Sequence, residues 1–285
     1  MAKKKVVENG SLNVLMPKLM KIKDEDLLVE KKRKKWGWIA GISIIIGFLG
    51  FLAATVPGIP LLFIIPGIAV PCFVVALIIY ILLVRRDLDN RKLDTALKFV
   101  EMMGQDVPDN ANMAIFVDFG DYQSAGKLLS KEGGMMSVKE MSYEHPWFKC
   151  TGALYDGNRF EMEVVQCIKR KEKRKRKYTK VKEKIVEKAT LSLKLNPRIY
   201  PSPETVAQQV TTGQLPQGFI VNRSLGRNRV LKIAAATPPA VIVNGRYGVS
   251  GDYDNLFDGD KLLGLVIDAY SGLQKARPEE GAAPA

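Results

Sequence analysis

The sequence predicts a two-helix transmembrane hairpin joined to a cytoplasmic α+β domain with a mainly antiparallel sheet and a long basic β-hairpin. Three observations carry this prediction. Residues 37–84 contain no charged side chain, residues 159–194 alternate apolar and polar positions, and residues 169–184 contain eleven basic side chains and two acidic ones.

Positive charge is concentrated in two short segments. Residues 1–35 hold eleven Lys or Arg against five Asp or Glu, a net charge of +6, and residues 169–184 carry +9. The whole chain has a net charge of +13, so the rest of it carries −2. We therefore treat 1–35 as a basic N-terminal segment and 169–184, the basic run, as a separate feature.

The uncharged run is long enough for two membrane spans, because a bilayer core needs about 20 apolar residues per helix. The sequence VPGIP at 56–60 interrupts it with a Pro-Gly break, which predicts a tight turn. We therefore predict a two-span transmembrane hairpin at 36–84. A signal peptide is the alternative, but the preceding polar segment is too long for one.

The charges beside the two spans predict their orientation. Five basic residues at 31–35 precede the first span and Arg85-Arg86 follow the second, whereas the turn between the spans has no charge. The positive-inside rule then places both termini in the cytoplasm. We expect a multi-pass protein of a prokaryotic cytoplasmic membrane.

Small residues recur along one face of the first span. Such a stripe lets a second helix approach closely, either the chain's own second span or a neighbouring subunit. Neither span contains an ionisable residue except a thiol and a phenol, which argues against ion transport. The predicted helix-packing residues are Ala40, Ser43, Gly47, Gly50 and Ala54.

Residues 85–110 are predicted to form a juxtamembrane amphipathic helix and linker. The apolar positions recur at helical spacing; they are Leu93, Ala96, Leu97, Val100 and Met103. The cytoplasmic α+β domain then occupies 111–275. It opens with a strand at 113–120 and a short helix capped by Asp121, and the tail 276–285 is predicted to be disordered.

The basic run lies at the end of a predicted antiparallel hairpin. Pairing Val164 with Ala189 aligns the apolar faces of two long strands and sets Gln166 opposite Glu187. The same register sets Lys169 opposite Lys184. It sets Lys171 opposite Lys182 and Lys173 opposite Lys180, so like charges face each other.

The last third predicts more short strands and a closing helix. Residues 218–236 and 239–249 have strand patterns, and the second contains an Asn244-Gly245 turn signal. Asp258 is positioned to cap a helix that begins at Gly259.

The sequence carries no catalytic, metal or cofactor motif that we recognise, and we predict a non-enzymatic protein without cofactor. His145 is the only histidine and Asp118 has no carboxylate partner nearby in sequence. A two-residue turn at 156–157 would set Cys150 opposite Glu163, too far from Cys167 for a disulfide.

These features predict a membrane-anchored component of a larger assembly whose basic hairpin binds a polyanion. The candidate partners are anionic lipid, nucleic acid phosphate or an acidic protein. The alternatives are a structural, homo-oligomeric membrane subunit assembled through its hairpin, an enzyme with an unrecognised site, and a solvated hairpin tip. The predicted polyanion-binding residues are Lys169, Arg170, Lys171, Lys173, Arg174, Lys175, Arg176, Lys177, Lys180, Lys182 and Lys184.

Overall fold

A computed structural model describes residues 5–54, 64–123, 127–133, 138–200, 215–226, 229–245, 248–250 and 254–275. These residues contain four helices and ten strands. The chain divides into two units, one made mainly of Lys18–Asp89 and the other of Lys4–Pro17 and Asn90–Ala285. The predicted turn at 56–60 and the tail at 276–285 lie outside the described residues.

The first unit contains α2 (Ile64–Val84), which is apolar, and most of α1 (Leu12–Ala54), which is apolar in its second half. Both are long and apolar enough to cross a membrane. They run antiparallel, because Gly37 lies beside Tyr80 whereas Gly50 lies beside Ile65. A β-carbon on Gly50 would come within 2.7 Å of Ile65 Cγ2, so glycine permits the helices to approach at this position.

The polar part of α1 is tied to the residues that follow α2. Arg33 forms an ion pair with Asp87, and the Leu88 amide donates a 3.0 Å hydrogen bond to Asp26 Oδ1. The charged ends of the two apolar stretches therefore lie at the same end of this unit.

The second unit contains an antiparallel sheet. Its main path has the order β1-β2-β4-β5-β6-β8-β7, while β3 pairs with β4, and β9 pairs with β6 and β10. The strands are β1 (Lys5–Gly10), β2 (Met113–Asp118), β3 (Leu128–Gly133), β4 (Val138–Ala153), β5 (Arg159–Arg174), β6 (Thr179–Lys194), β7 (Ile220–Gly226), β8 (Val230–Ala236), β9 (Ala240–Gly245) and β10 (Gly248–Ser250).

Three strands of 16 residues, β4, β5 and β6, form the centre of the sheet. The outer edge of β4 is shared by β2 and β3, which pair with different stretches of it. The outer edge of β6 is likewise shared by β8 and β9. The half of the sheet that contains the β4–β5 turn is flanked by β2 and β8, and we call it the near half. The half that contains the β5–β6 loop is flanked by β3 and β9, and we call it the distal half.

Two helices cover one face of the near half, which we call the inner face. They are α3 (Asn90–Gly104) and α4 (Gly259–Lys275), and they pack against each other and against the sheet. The five apolar residues predicted for the first of them are all buried, which confirms its amphipathic pattern. Asp258 caps α4 as predicted, since its Oδ1 accepts a 2.9 Å hydrogen bond from the Lys261 amide.

Two local predictions differ from the structure. Residues 5–10, predicted as part of a basic N-terminal segment, form an edge strand paired with β2. Residues 128–130, predicted as the end of a short helix, belong to β3 because β4 offers them backbone partners. In both cases pairing with another strand outweighs the local pattern.

The register of β5 against β6 matches the predicted register. Val164 lies opposite Ala189, Gln166 opposite Glu187 and Ile168 opposite Ile185. Alternate residues on the inner face are buried, as the period-two pattern indicates.

The register of β4 against β5 differs from the prediction by one residue, because Cys150 lies opposite Met162 and not Glu163. The turn contains three residues, Tyr155 to Gly157, rather than two. The Leu154 amide donates to the Asn158 carbonyl, and Gly157 takes a φ of 76°, a combination typical of a three-residue hairpin loop.

Glu187 is a fully buried carboxylate at the place where β6 changes its neighbour from β8 to β9. Arg91 of α3 donates to both carboxylate oxygens, at 2.7 and 3.1 Å. The Phe257 amide donates to Oε2 at 2.8 Å, and Gln166 Nε2 donates to Oε1 at 3.3 Å. Thr237 bonds the backbone of Glu187 on both sides. The Thr237 amide donates to the Glu187 carbonyl, and the Thr237 hydroxyl accepts from the Glu187 amide.

Replacing this carboxylate by an amide, Glu187→Gln, should destabilise the protein by about 3 kcal/mol, the lower end for breaking a buried pair, because Arg91 loses its counter-charge but its side chain is 24% exposed. Glu161→Gln is the matched control: Glu161 pairs with Lys149 on the exposed face of the same hairpin, and that loss should cost at most about 1 kcal/mol. Guanidinium unfolding of both variants measures the difference. Equal costs would contradict the role of Glu187.

Candidate functional site

The basic run places six lysines on the sheet face opposite the helices, which we call the outer face. Lys169 lies opposite Lys184, and the next two cross-strand pairs are also Lys-Lys. All six are exposed. These residues, the basic face, are Lys169, Lys171, Lys173, Lys180, Lys182 and Lys184.

The basic face carries a large uncompensated charge. Within the described part of the chain, Glu140 on β4 is the one carboxylate that forms an ion pair with these lysines, and it pairs with Lys171. Like charges directly opposite on neighbouring strands cost a few tenths of a kcal/mol per pair. The face is therefore electrostatically strained unless an anion lies on it.

The structure does not bring the other predicted basic residues onto this face. Arg170 points to the inner face, where it is ion-paired with Glu172 and Glu183 at 2.8 Å and hydrogen-bonded to Tyr122. Burial, reinforced by a hydrogen bond to Glu183, raises the pKa of Tyr122 to about 12. The charge of Arg170 is thus satisfied internally, although Arg170 also borders the groove described below.

The remaining basic residues lie at the distal end of the hairpin. Arg174 is the last residue of β5, and the loop that follows closes through a 2.8 Å bond from the Lys175 amide to the Tyr178 carbonyl. Arg176 and Lys177 are exposed in this loop.

The basic part of the hairpin is flanked by other strands along most of its length. Val138 of β4 lies opposite Lys173, and Asn244 of β9 lies opposite Val181. Five of the six paired lysines therefore lie on strands whose outer edges are paired within the sheet, and Lys180 lies just past them. Only residues 174–180 extend past these flanking pairs.

A groove of 390 Å³ lies on the basic face. Four of the six lysines line it: Lys169, Lys171, Lys182 and Lys184. Met141 and Arg170 border it as well. Ser130 of β3 and Ser142 and Glu140 of β4 complete the lining. No pattern in the sequence pointed to these three residues, because the pairing of β3 and β4 with the hairpin is a tertiary feature.

The predicted helix-packing residues lie largely between the two apolar helices. Gly47 and Gly50 face Ala69 and Ile65 of α2, and Ala40 is buried. Ser43 is half-buried, and the side chain of Ala54 lies outside the described residues. The two glycines therefore serve contact with the chain's own second helix, which was one of the two alternatives.

Asp118 and His145 form a buried polar cluster, a contact that the sequence did not predict. Lys127 Nζ lies 2.8 Å from Asp118 Oδ2, and His145 Nε2 lies 3.4 Å from the same oxygen. Although burial opposes it, hydrogen bonds from Lys127 and from the Gly120 amide hold the pKa of Asp118 below its usual value. Burial, with the nearby charges of Lys92 and Lys127, lowers the pKa of His145 to about 4.

The described residues give little support for a metal site or for a reactive cysteine. No group of three His, Cys, Asp or Glu side chains is placed there to hold a metal ion. The three cysteines are free thiols, and burial raises the pKa of Cys150 to about 12.

Comparison of the chain with protein-family models, with curated proteins and with solved structures gives no match. Functional inference therefore starts from charge, burial and geometry. On these criteria the basic face is the strongest candidate site.

Stability should fall with acidification because of His145. In the unfolded chain a histidine titrates near pH 6.5, whereas in the folded protein His145 titrates near 4, so between these values only the unfolded state binds the proton. The stabilisation is complete above about pH 6.5, and about 2 kcal/mol is lost between pH 7 and pH 5.

Urea unfolding of the wild type and of His145→Gln at both pH values checks this expectation. The variant should lose most of the pH dependence, because the chain contains no other histidine. The same slope in both proteins would show that another group is responsible.

Proposed function

We propose that this protein is a non-enzymatic, membrane-anchored component of a larger assembly, and that its α+β unit binds a polyanion through the basic face. The observation that carries the proposal is the set of three Lys-Lys pairs on one exposed face with Glu140 as their described counter-charge. An anion on this face would convert the repulsion between lysines into attraction.

The chemistry of the face favours contact with phosphate or carboxylate groups over base recognition. Lysine offers a flexible point charge and three donors, which suits anions of many shapes. Sequence-tolerant nucleic-acid sites usually add aromatic side chains on which bases stack. Here Tyr178 is the aromatic residue of the basic run, and it lies in the loop beyond the paired lysines.

The proposed membrane anchor is the α1–α2 pair. Large apolar side chains are exposed around both helices, among them Ile45, Phe48 and Ile68 at 58–62%. Exposed apolar surface on this scale is costly in water and is favourable in a bilayer. Trp38 is 74% exposed at the start of the apolar stretch, where an aromatic residue suits the membrane interface.

The orientation that we propose places both termini in the cytoplasm. The basic residues 31–35 and Arg85-Arg86 lie beside the same end of the helix pair, and basic residues favour the cytoplasmic side. A cytoplasmic location would give the basic face access to anionic lipid, nucleic acid and acidic proteins.

A non-enzymatic role is supported by the burial of the polar clusters. Asp118 and His145 have side-chain exposures of 2% and 1%, so a substrate could not reach them in this conformation. Glu187 uses its carboxylate oxygens to bond Arg91, Gln166 and Phe257. Both clusters hold the sheet together rather than present a reactive group.

Polyanion binding should be strongly salt-dependent. The full-length protein in phosphatidylcholine nanodiscs should bind vesicles containing phosphatidylserine, poly-U RNA or polyglutamate, and affinity should fall about tenfold or more between about 50 and about 200 mM salt. The triple charge reversal of Lys169, Lys182 and Lys184 to Glu should abolish this binding.

The matched control reverses three exposed basic residues at or just past the other end of β6, Lys194, Arg198 and Lys232, the last on the neighbouring strand β8. It makes the same change in net charge but should leave most of the affinity. Salt-independent binding, or no binding to any of the three anions, would reject the polyanion function and leave the structural subunit as the better account.

Membrane topology can be tested with single cysteines in a background lacking Cys72, Cys150 and Cys167. In intact cells, a membrane-impermeant maleimide should label Gly58→Cys, and it should label Asn110→Cys only after lysis. The reverse pattern would overturn the orientation. Release of the protein by alkaline carbonate would overturn the membrane anchor itself.

A further inference from the structure

The groove differs from the rest of the basic face because side chains from four strands meet there. Ser130 comes from β3, Glu140 and Ser142 from β4, and the lysines from β5 and β6. Its volume of 390 Å³ lies within the range of about 300–1,000 Å³ that is typical of small-molecule sites. Residues of β3 and β4 therefore border the lysines on the β4 side of the hairpin.

The lining offers donors of two kinds. Four ammonium groups supply charge and charge-assisted hydrogen bonds, and two serine hydroxyls supply neutral donors. Glu140 pairs with Lys171 at the edge of the groove, which orients that lysine and leaves a net positive lining. Several donors around one concave space are suited to an anion with several oxygens.

We propose that the groove binds a compact phosphomonoester or polyphosphate group, borne either by a lipid headgroup or by a free soluble compound. This inference rests on the proposed polyanion function and narrows it to one chemical class. A phosphomonoester has a second pKa near 6, so close to neutral pH it carries nearly two charges and three acceptor oxygens. The surrounding lysines stabilise the dianion further.

A linear nucleic acid suits this groove less well. The described residues that line it include no aromatic side chain on which a base could stack. The cross-strand lysine pairs also repeat at about 6.6 Å along the sheet, a short ladder that ends where the loop begins at Lys175. A compact group can contact several of these lysines at once.

The test compares two double substitutions that remove the same charge. Lys169→Gln with Lys184→Gln acts inside the groove, and Lys175→Gln with Lys177→Gln acts in the loop outside it. Calorimetric titration of the full-length protein in phosphatidylcholine nanodiscs measures binding of inorganic tripolyphosphate, with citrate as an anion lacking phosphate. The groove pair should weaken tripolyphosphate binding at least about tenfold and the loop pair less than about threefold.

A charge-neutral variant, Ser130→Ala with Ser142→Ala, tests the hydroxyl donors separately. It should weaken tripolyphosphate binding about threefold or more and leave the affinity for poly-U RNA unchanged. Thermal unfolding of each variant establishes that the sheet is intact.

The lipid arm compares phosphatidic acid with phosphatidylserine vesicles at equal surface charge. Preference for phosphatidic acid assigns the group to a lipid headgroup, and tripolyphosphate binding without that preference assigns it to a free compound. Equal weakening by the two double substitutions overturns the proposed phosphate site, and so does citrate binding as tight as that of tripolyphosphate. In either case, salt-dependent binding to vesicles or RNA would still support the polyanion function. Absence of binding to every anion overturns both.

Discussion

The buried ion pair between Glu187 and Arg91 is the interaction on which the sheet depends. A fully buried carboxylate is stable only when its oxygens have partners, and here Gln166 and Phe257 supply the bonds that Arg91, itself partly exposed, does not. These partners come from separate parts of the chain: α3, the residues before α4, and the neighbouring strand β5. One carboxylate therefore fixes the helices against the sheet.

The position of Glu187 also explains how one strand serves two halves of the sheet. β6 is paired with β9 from Val181 to Ile185 and with β8 from Lys188 to Lys194. Between these stretches Thr237 bonds the backbone of Glu187, and this gap is the junction between the two halves. With it, the hairpin continues into a distal half that has its own small core, including Tyr143, Ile168, Ile185 and Ile242.

The distal half separates its charges by face. On the inner face, Arg170 is held by two glutamates and Tyr122, so its charge is satisfied within the fold. On the outer face, three lysine pairs share a single described carboxylate. The repulsion within each lysine pair costs only a few tenths of a kcal/mol, which the packing of the sheet outweighs. The fold can therefore keep a basic face whose charge is neutralised by an external anion.

The sequence by itself determined the elements whose pattern is local or pairs neighbouring segments: the two apolar helices, α3, the capped α4 and the β5–β6 register. Alternation and charge suffice there because a one-residue slip would expose the core. Only the tertiary structure decided that β1 and β3 join the sheet, that Arg170 is neutralised, and that Ser130 and Ser142 line the lysine groove. The β1–β2 pairing and the contact of Tyr122 with Arg170 join segments far apart in sequence, and β3 depends on the backbone partners that β4 offers. Local periodicity carries no information about such partners.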